Sequence, residues 1–264
     1  MPSFSSFALQ FTGFTAASLS ATGAELLIVE AGVTAASGQA KLSEVELGQL
    51  AAEGRKVIGY VNTSVTDHNR AYWQAGWVTP EGDEPDVGMP TASAPAWLQN
   101  TLGEVDFDAA HPGAEAMLVD YRDPAWRALV VAQAVAVVEA GFHGVFLDDV
   151  ARYYEAAQAG GGFDGALADS MMALVIEVAA AVRAVNPDAV VVVNSGVYIG
   201  GDSAAGTASQ LFADYKAAID GVLIENQYAS EVDPAPPNVL SDAQANFAGI
   251  DILALENAAS GLDR

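Results

Sequence analysis

The apolar positions of this chain fall in short unbroken runs, not in alternation with polar ones. Eight runs stand out: FALQFTG (7–13), ELLIVEAG (25–32), KVIGYVN (56–62), AMLVDY (116–121), GVFLDDV (144–150), AVVVVNSG (189–196), GVLIENQ (221–227) and DILALEN (251–257). Runs of Val, Ile and Leu without a period of two predict strands covered on both faces, as in a parallel sheet. Helix punctuation lies between them. SEVELGQLAAEG (43–54) opens on Ser43, carries Glu46 three residues later and stops at Gly54, which predicts a capping box and a glycine stop. The stretch 123–141 starts with Asp123 and Pro124 and closes at Gly141, and 165–187 ends at Pro187, the start and stop residues of two longer helices.

Alternating strands and helices imply right-handed parallel crossovers. Eight strands in 264 residues predict an α/β fold, a (β/α)8 TIM barrel forming one domain. A doubly wound open sheet is the alternative, but no glycine-rich phosphate loop follows the first strand. If FALQFTG is only a lead-in, the barrel is one strand shorter. The stretch 74–113 breaks the rhythm. It is proline-rich, carries Trp77 and Trp97 and follows Trp73, which predicts an ordered insertion, longer than a plain connection.

In a parallel barrel the C-terminal strand ends carry the chemistry. Seven runs end on a polar residue there: Glu30, Asn62, Asp120, Asp148, Asn194, Glu225 and Glu256. Simple helix capping accounts for some strand-end acids: Asp123 is an expected cap, and Asp149 either a cap or a partner supporting the catalytic acid. Asp148 and Glu225 each follow four or more apolar residues, which places them at the barrel mouth. A period of two puts Tyr60 with Asn62, and Phe146 with Asp148, on common faces. It turns Asp149 away from Asp148.

Charge and composition narrow the partners. The formal net charge is −24 and the acids are dispersed. Such a field repels nucleic acid and anionic membranes and attracts cations. The chain has no cysteine and only three histidines, His68, His111 and His143, none at the spacing of a zinc site. No apolar run is expected to reach the ~18 residues of a membrane span, and the first residues lack the basic start of a signal peptide. Two carboxylates on different strands, with amides and aromatics nearby, are what glycoside hydrolysis uses. Tyr60, Tyr121, Tyr153, Tyr228, Trp73 and Trp77 are the aromatic candidates for stacking on sugar.

Four segments, KVIGYVNTSVTDHNRAYW, AMLVDYRDPAWRALV, AGFHGVFLDDV and IDGVLIENQY, together resemble glycoside hydrolase family 114, the endo-α-1,4-polygalactosaminidase-like TIM barrels. The resemblance runs over most of 56–228. It implies that Asp148 is the nucleophile and Glu225 the acid/base of a retaining reaction, with Tyr60 and Asp120 on matching positions. Asn62 and Thr63 stand where many members have serine nearby, Asp67 near the place of a glutamate, and Asp149 where relatives often have asparagine. The expected substrate-binding set is Glu30, Tyr60, Asn62, Asp120, Asn194 and Tyr228.

The resulting expectation is a secreted, extracellular, monomeric glycosidase acting on an α-linked galactosamine- or N-acetylgalactosamine-containing polysaccharide, without cofactor or metal and without nucleic-acid or membrane partners. Two alternatives stand beside it. One is a non-catalytic carbohydrate-binding barrel of a larger secreted protein. The other is a metal-dependent hydrolase built on Asp148, Asp149 and Glu225 with oxygen ligands.

Overall fold

A computed structural model of the chain describes residues 4–31, 41–102, 105–106, 116–158, 162–225 and 238–255. The strands are β1 (Phe7–Gln10), β2 (Leu26–Val29), β3 (Lys56–Asn62), β4 (Val65–Thr66), β5 (Val78–Glu81), β6 (Glu84–Pro90), β7 (Val105–Asp106), β8 (Ala116–Leu118), β9 (Gly144–Asp148), β10 (Val190–Asn194), β11 (Gly221–Glu225) and β12 (Asp251–Leu255). The helices are α1 (Ala16–Ala21), α2 (Glu44–Ala52), α3 (Ala96–Gln99), α4 (Pro124–Glu139), α5 (Tyr153–Gln158), α6 (Gly165–Val185), α7 (Ile199–Asp202), α8 (Gln210–Ala218) and α9 (Val239–Asn246).

Seven strands form a parallel sheet in the order β1-β2-β3-β9-β10-β11-β12. The sheet curls into a nearly closed barrel. Its ends approach each other where the Phe4 N–H donates to the Asp251 carboxylate at 2.7 Å. FALQFTG is therefore a barrel strand, paired in register with β2. The inner core is Leu26, Ile28, Ile58, Tyr60, Phe146, Val190, Val192, Leu223 and Leu253, with Phe7, Leu9 and Phe11 packed against it. A second, larger core lies between the strands' outer faces and the helices. Each polar strand-end residue Glu30, Asn62, Asp148, Asn194 and Glu225 sits two places beyond an inner-core residue. Strand periodicity thus aims all five into the mouth.

AMLVDY is not a barrel strand. Its first part, β8, pairs antiparallel with β4, Val65 opposite Leu118, and the Val119 N–H bonds the Ser64 carbonyl at 2.9 Å. The reason is local. The Asn62 Oδ1 accepts the N–H groups of Ser64 and Val65 at 3.1 and 2.7 Å, an Asx-type turn that throws the chain out of the barrel. The returning segment zips onto the outgoing one, and β9 takes the place beside β3, with Asn62 opposite Asp148. The excursion becomes an antiparallel sheet in the order β4-β8-β7-β6-β5. Tryptophans fasten it: rings of Trp73 and Trp77, Trp77 and Trp97, and Trp97 and Trp126 stand 5.2, 5.5 and 4.8 Å apart. Trp126 belongs to α4, so the insertion is tied to the barrel's helical layer.

The helix signals act as their residue types dictate. Ser43 and Glu46 close a capping box on α2. Asp123 caps α4, with Pro124 as its first residue. At 21 residues, α6 is long and apolar enough by composition to cross a membrane, although Asp169, Glu177 and Arg183 interrupt its apolar residues. Its apolar face packs between α4 and α8, with Leu167, Met171, Leu174, Val175 and Val178 buried.

Candidate active site

The strand ends β9, β10 and β11 open into a cleft of about 930 Å³, lined among others by Asp148, Asp149, Asn194 and Glu225. Asn194 lies between the two acids. Its Nδ2 donates to Asp148 Oδ1 at 2.7 Å and to Glu225 Oε1 at 2.8 Å. Both oxygens meet one nitrogen, so they are at most about 5.5 Å apart, the sum of the two bonds. Asp148 Oδ1 also accepts the backbone N–H of Asp149 at 2.8 Å. Among the described residues, Asp148 Oδ2 and Glu225 Oε2 accept no hydrogen bond. Each acid therefore presents one engaged oxygen and one open one.

The backbone around Asp148 is held from behind. Its carbonyl accepts the Thr63 hydroxyl at 2.7 Å and the Thr63 N–H at 3.1 Å. The Thr63 carbonyl in turn accepts the indole N–H of the fully buried Trp126 at 2.8 Å. Past the strand end the chain turns sharply. Asp149 and Ser195 are the only non-glycine residues with positive φ among the described residues, at 59° and 61°. Each directly follows a site residue, Asp148 or Asn194. Such backbone states cost about 1–3 kcal/mol and cluster at functional sites.

Asp149 is not the helix cap its position suggested. It stands at the start of a short 3-10 turn with a left-handed backbone, and its side chain makes no capping bond to a backbone N–H. That carboxylate accepts instead from Asn62 Nδ2 and from Arg152 Nε, the latter at 3.3 Å. Burial, then the neighbouring charge of Asp148, push the Asp149 carboxyl up to about 6. Because the Asn62 oxygen is fixed by two backbone N–H groups, its nitrogen must face Asp149. It also donates to the Tyr60 hydroxyl at 2.9 Å.

The remaining expected residues divide between this network and other places. Tyr60 is buried in the barrel, its ring 4.9 Å from Phe11, and Arg70 stacks 5.3 Å above it. Arg70 also pairs with Asp67 at 2.7 Å and stands 3.8 Å from Glu30. Asn62 thus meets Asp149 directly, Tyr60 meets Asn62, Glu30 faces Arg70, and none of the three is among the residues lining the cleft. Asp120 is elsewhere: Arg122 clamps both its oxygens at 2.8 and 3.0 Å, because it follows the antiparallel β8 and not a barrel strand. Tyr228 and Glu256 lie outside the described residues. Among the described residues, no group of three acids or histidines is placed to hold a metal ion.

The aromatic expectations also shift. Tyr60, Tyr121, Tyr153 and Trp77 are buried, and Trp73 packs against the outer core. Among the described residues, the cleft's accessible rings are Tyr154 and Tyr198, 47% and 38% exposed. A signal for Tyr154 was present. Adjacent residues on a helix point about 100° apart, so of Tyr153 and Tyr154 one had to face outward.

Comparison with solved structures matches this architecture. Over 96% of this chain and 84% of its own length, the glycoside hydrolase domain of PelA from Pseudomonas aeruginosa superposes with a TM-score of 0.60 at 16% identity. The chain has the PelA-domain fold. A second similar structure, Ega3 of Aspergillus fumigatus in complex with galactosamine, gives a TM-score of 0.50 at 12% identity over 96% of this chain and 90% of that one. By sequence, this PelA-like barrel is 37% identical over 142 residues to an uncharacterized protein of Deinococcus radiodurans. That match covers 54% of this chain and 38% of the relative, and a match in Thermotoga maritima covers 48% of its relative. The chain thus spans less than half the length of the curated relatives it matches. No protein-family model matches.

Proposed function

We propose that the barrel is a retaining glycoside hydrolase, with Asp148 as nucleophile and Glu225 as acid/base. The observation that carries this is the Asn194 bridge. It keeps the engaged oxygens, Asp148 Oδ1 and Glu225 Oε1, within about 5.5 Å of each other, which supports the close spacing of retaining enzymes, about 5–5.5 Å between carboxyls, over the roughly 6.5–9.5 Å of inverting ones. In the first step Asp148 Oδ2 attacks the anomeric carbon. The glycosidic C–O bond breaks, and its oxygen takes the proton of Glu225 Oε2. In the second step Glu225 removes a proton from water, the water oxygen attacks the same carbon, and Asp148 leaves as carboxylate. Asn194 donates to the engaged oxygen of each acid throughout, which keeps the open oxygens aimed at the sugar.

The substrate class we propose is a polysaccharide containing α-linked galactosamine or N-acetylgalactosamine. Support comes from Ega3, a similar fold solved in complex with galactosamine, and from the charge of the cleft. Asp148, Asp149, Glu155, Asp202 and Glu225 line it against one Arg152, a field that favours a cationic amino sugar. Export and a monomeric state belong to the same proposal. The test is hydrolysis of partly deacetylated α-1,4-galactosaminan, followed by release of reducing ends, with wild type, Asp148→Asn and Glu225→Gln side by side. Release that depends on both acids, with retained anomeric configuration in the first product, is the expected result. Release unaffected by Asp148→Asn, or inverted product, overturns the reading. Binding of the polymer without any release favours the second reading, a non-catalytic carbohydrate-binding barrel.

A further inference from the structure

Exposed rings are concentrated at one place on this molecule. The exposed large aromatics among the described residues are Tyr154, Phe163 and Tyr198, at 47%, 46% and 38%. Tyr154 and Tyr198 line the cleft, and the Phe163 ring lies 5.5 Å from that of Tyr154, tilted by 52°. Leaving two rings half in water forgoes burial that the many other aromatics of the chain obtain. We propose that Tyr154 and Phe163 form an outer sugar subsite, which extends the acid-bearing cleft and stacks a further residue of a polysaccharide chain.

Three features fit that role. The pair is preorganised from two elements. Tyr153 anchors α5 through its hydroxyl bond to Asp202 at 2.7 Å, which fixes where the next ring points. Phe163 immediately precedes Asp164, whose carboxylate caps α6 at 3.0 Å. A platform held this way loses little entropy when it binds. Polar groups also border it: Arg152 and Glu155, paired at 2.7 Å, line the same cleft. A sugar presents an apolar C–H face and a rim of hydroxyls, and rings beside charged side chains match both. An apolar peptide or lipid would meet a cleft that also presents five acids, Asp148, Asp149, Glu155, Asp202 and Glu225.

The subsite rests on the glycoside hydrolase reading above, and the experiment separates the two. The kcat/KM of wild type, Tyr154→Ala, Phe163→Ala and Phe163→Tyr is measured on a short and a long α-1,4-linked galactosamine oligomer. The ratio of long to short is expected to fall about three- to tenfold in both alanine variants, through KM and not kcat, and to return in Phe163→Tyr. Binding of the same oligomers to Asp148→Asn, with and without Phe163→Ala, gives a second readout by calorimetry. An unchanged ratio together with unchanged long-oligomer binding overturns the subsite while leaving the hydrolase reading intact. Length-dependent binding lost with Phe163, in a wild type that releases no product, upholds the subsite and overturns the hydrolase. Neither binding nor hydrolysis of either oligomer overturns both.

Discussion

Asn194 holds Asp148 and Glu225 on a single amide nitrogen, 2.7 Å from one and 2.8 Å from the other. Its removal should therefore damage both acids at once. Asn194→Ala leaves Asp148 Oδ1 with only the Asp149 N–H and leaves Glu225 with no partner among the described residues. We expect kcat to drop by about 10²-fold or more, with the thermal midpoint lowered far less steeply than activity. Asn194→Asp should do worse, because a third carboxylate cannot donate to the other two. Steady-state kinetics with parallel thermal melts check this, and an Asn194→Ala enzyme with wild-type kcat overturns it.

The two acids themselves have different signatures. In the proposed mechanism Glu225→Gln removes the proton donor, so hydrolysis should fall by about 10²–10⁴-fold. The loss should shrink for substrates whose leaving group needs no protonation. Asp148→Asn removes the attacking oxygen and should abolish turnover for every leaving group. Comparing a natural oligomer with an activated aryl glycoside distinguishes these patterns.

Asp149 makes stability depend on pH in an unusual direction for an acid. Its folded-state carboxyl titrates at about 6, above the ordinary aspartate value of about 3.9. Between those values the folded protein holds a proton that the unfolded chain has released, so its contribution to stability declines as pH rises through the window. Below the window both states are protonated and the contribution is level. Asp149→Asn should flatten the fall between about pH 4 and pH 6, which is at most about 3 kcal/mol at 1.36 kcal/mol per pKa unit. The slope is the proper readout, since the variant also loses the Arg152 pair. Urea midpoints taken across that range test it; identical slopes in the two proteins count against it.

Gly144 opens β9 at φ 155°, and a Cβ there would meet the Val190 carbonyl oxygen at 1.9 Å. That neighbour is backbone of β10 and cannot step aside without opening the ladder. Gly144→Ala is expected to cost at least about 3 kcal/mol and to impair activity through Asp148, four residues along the same strand. A denaturation midpoint equal to wild type would contradict this.

Much of this was legible in the sequence because it is local. Apolar runs of four or five residues marked β2, β3, β9, β10, β11 and β12, and period two then aimed Asp148, Asn194 and Glu225 inward. AMLVDY misled because the same apolar run suits a barrel strand or the partner of an outgoing segment. The turn made by Asn62, not the run, decides between them. Asp149 stayed open between a cap and a supporting partner for a similar reason. Its left-handed backbone cannot be read from composition, and only the partners it meets, Asn62 and Arg152, show where the carboxylate goes. Burial of Tyr60, Tyr121 and Tyr153 required the fold, since a tyrosine near a strand end is equally common inside and at a rim.

The arginines have a consequence for the molecule as a whole. Every arginine among the described residues sits against a carboxylate: Arg55, Arg70, Arg122, Arg127, Arg152 and Arg183 pair with Glu53, Asp67, Asp120, Glu177, Asp149 and Asp220. Most of the positive charge is thus already paired, and the surplus of 34 acidic over 10 basic residues is left with little to neutralise it. The protein behaves as a polyanion with its own atmosphere of counter-cations. At low ionic strength the copies repel one another and cations crowd the surface. As salt shortens the screening length toward ~10 Å at 0.1 M, that atmosphere thins, and capture of a cationic chain slows with it.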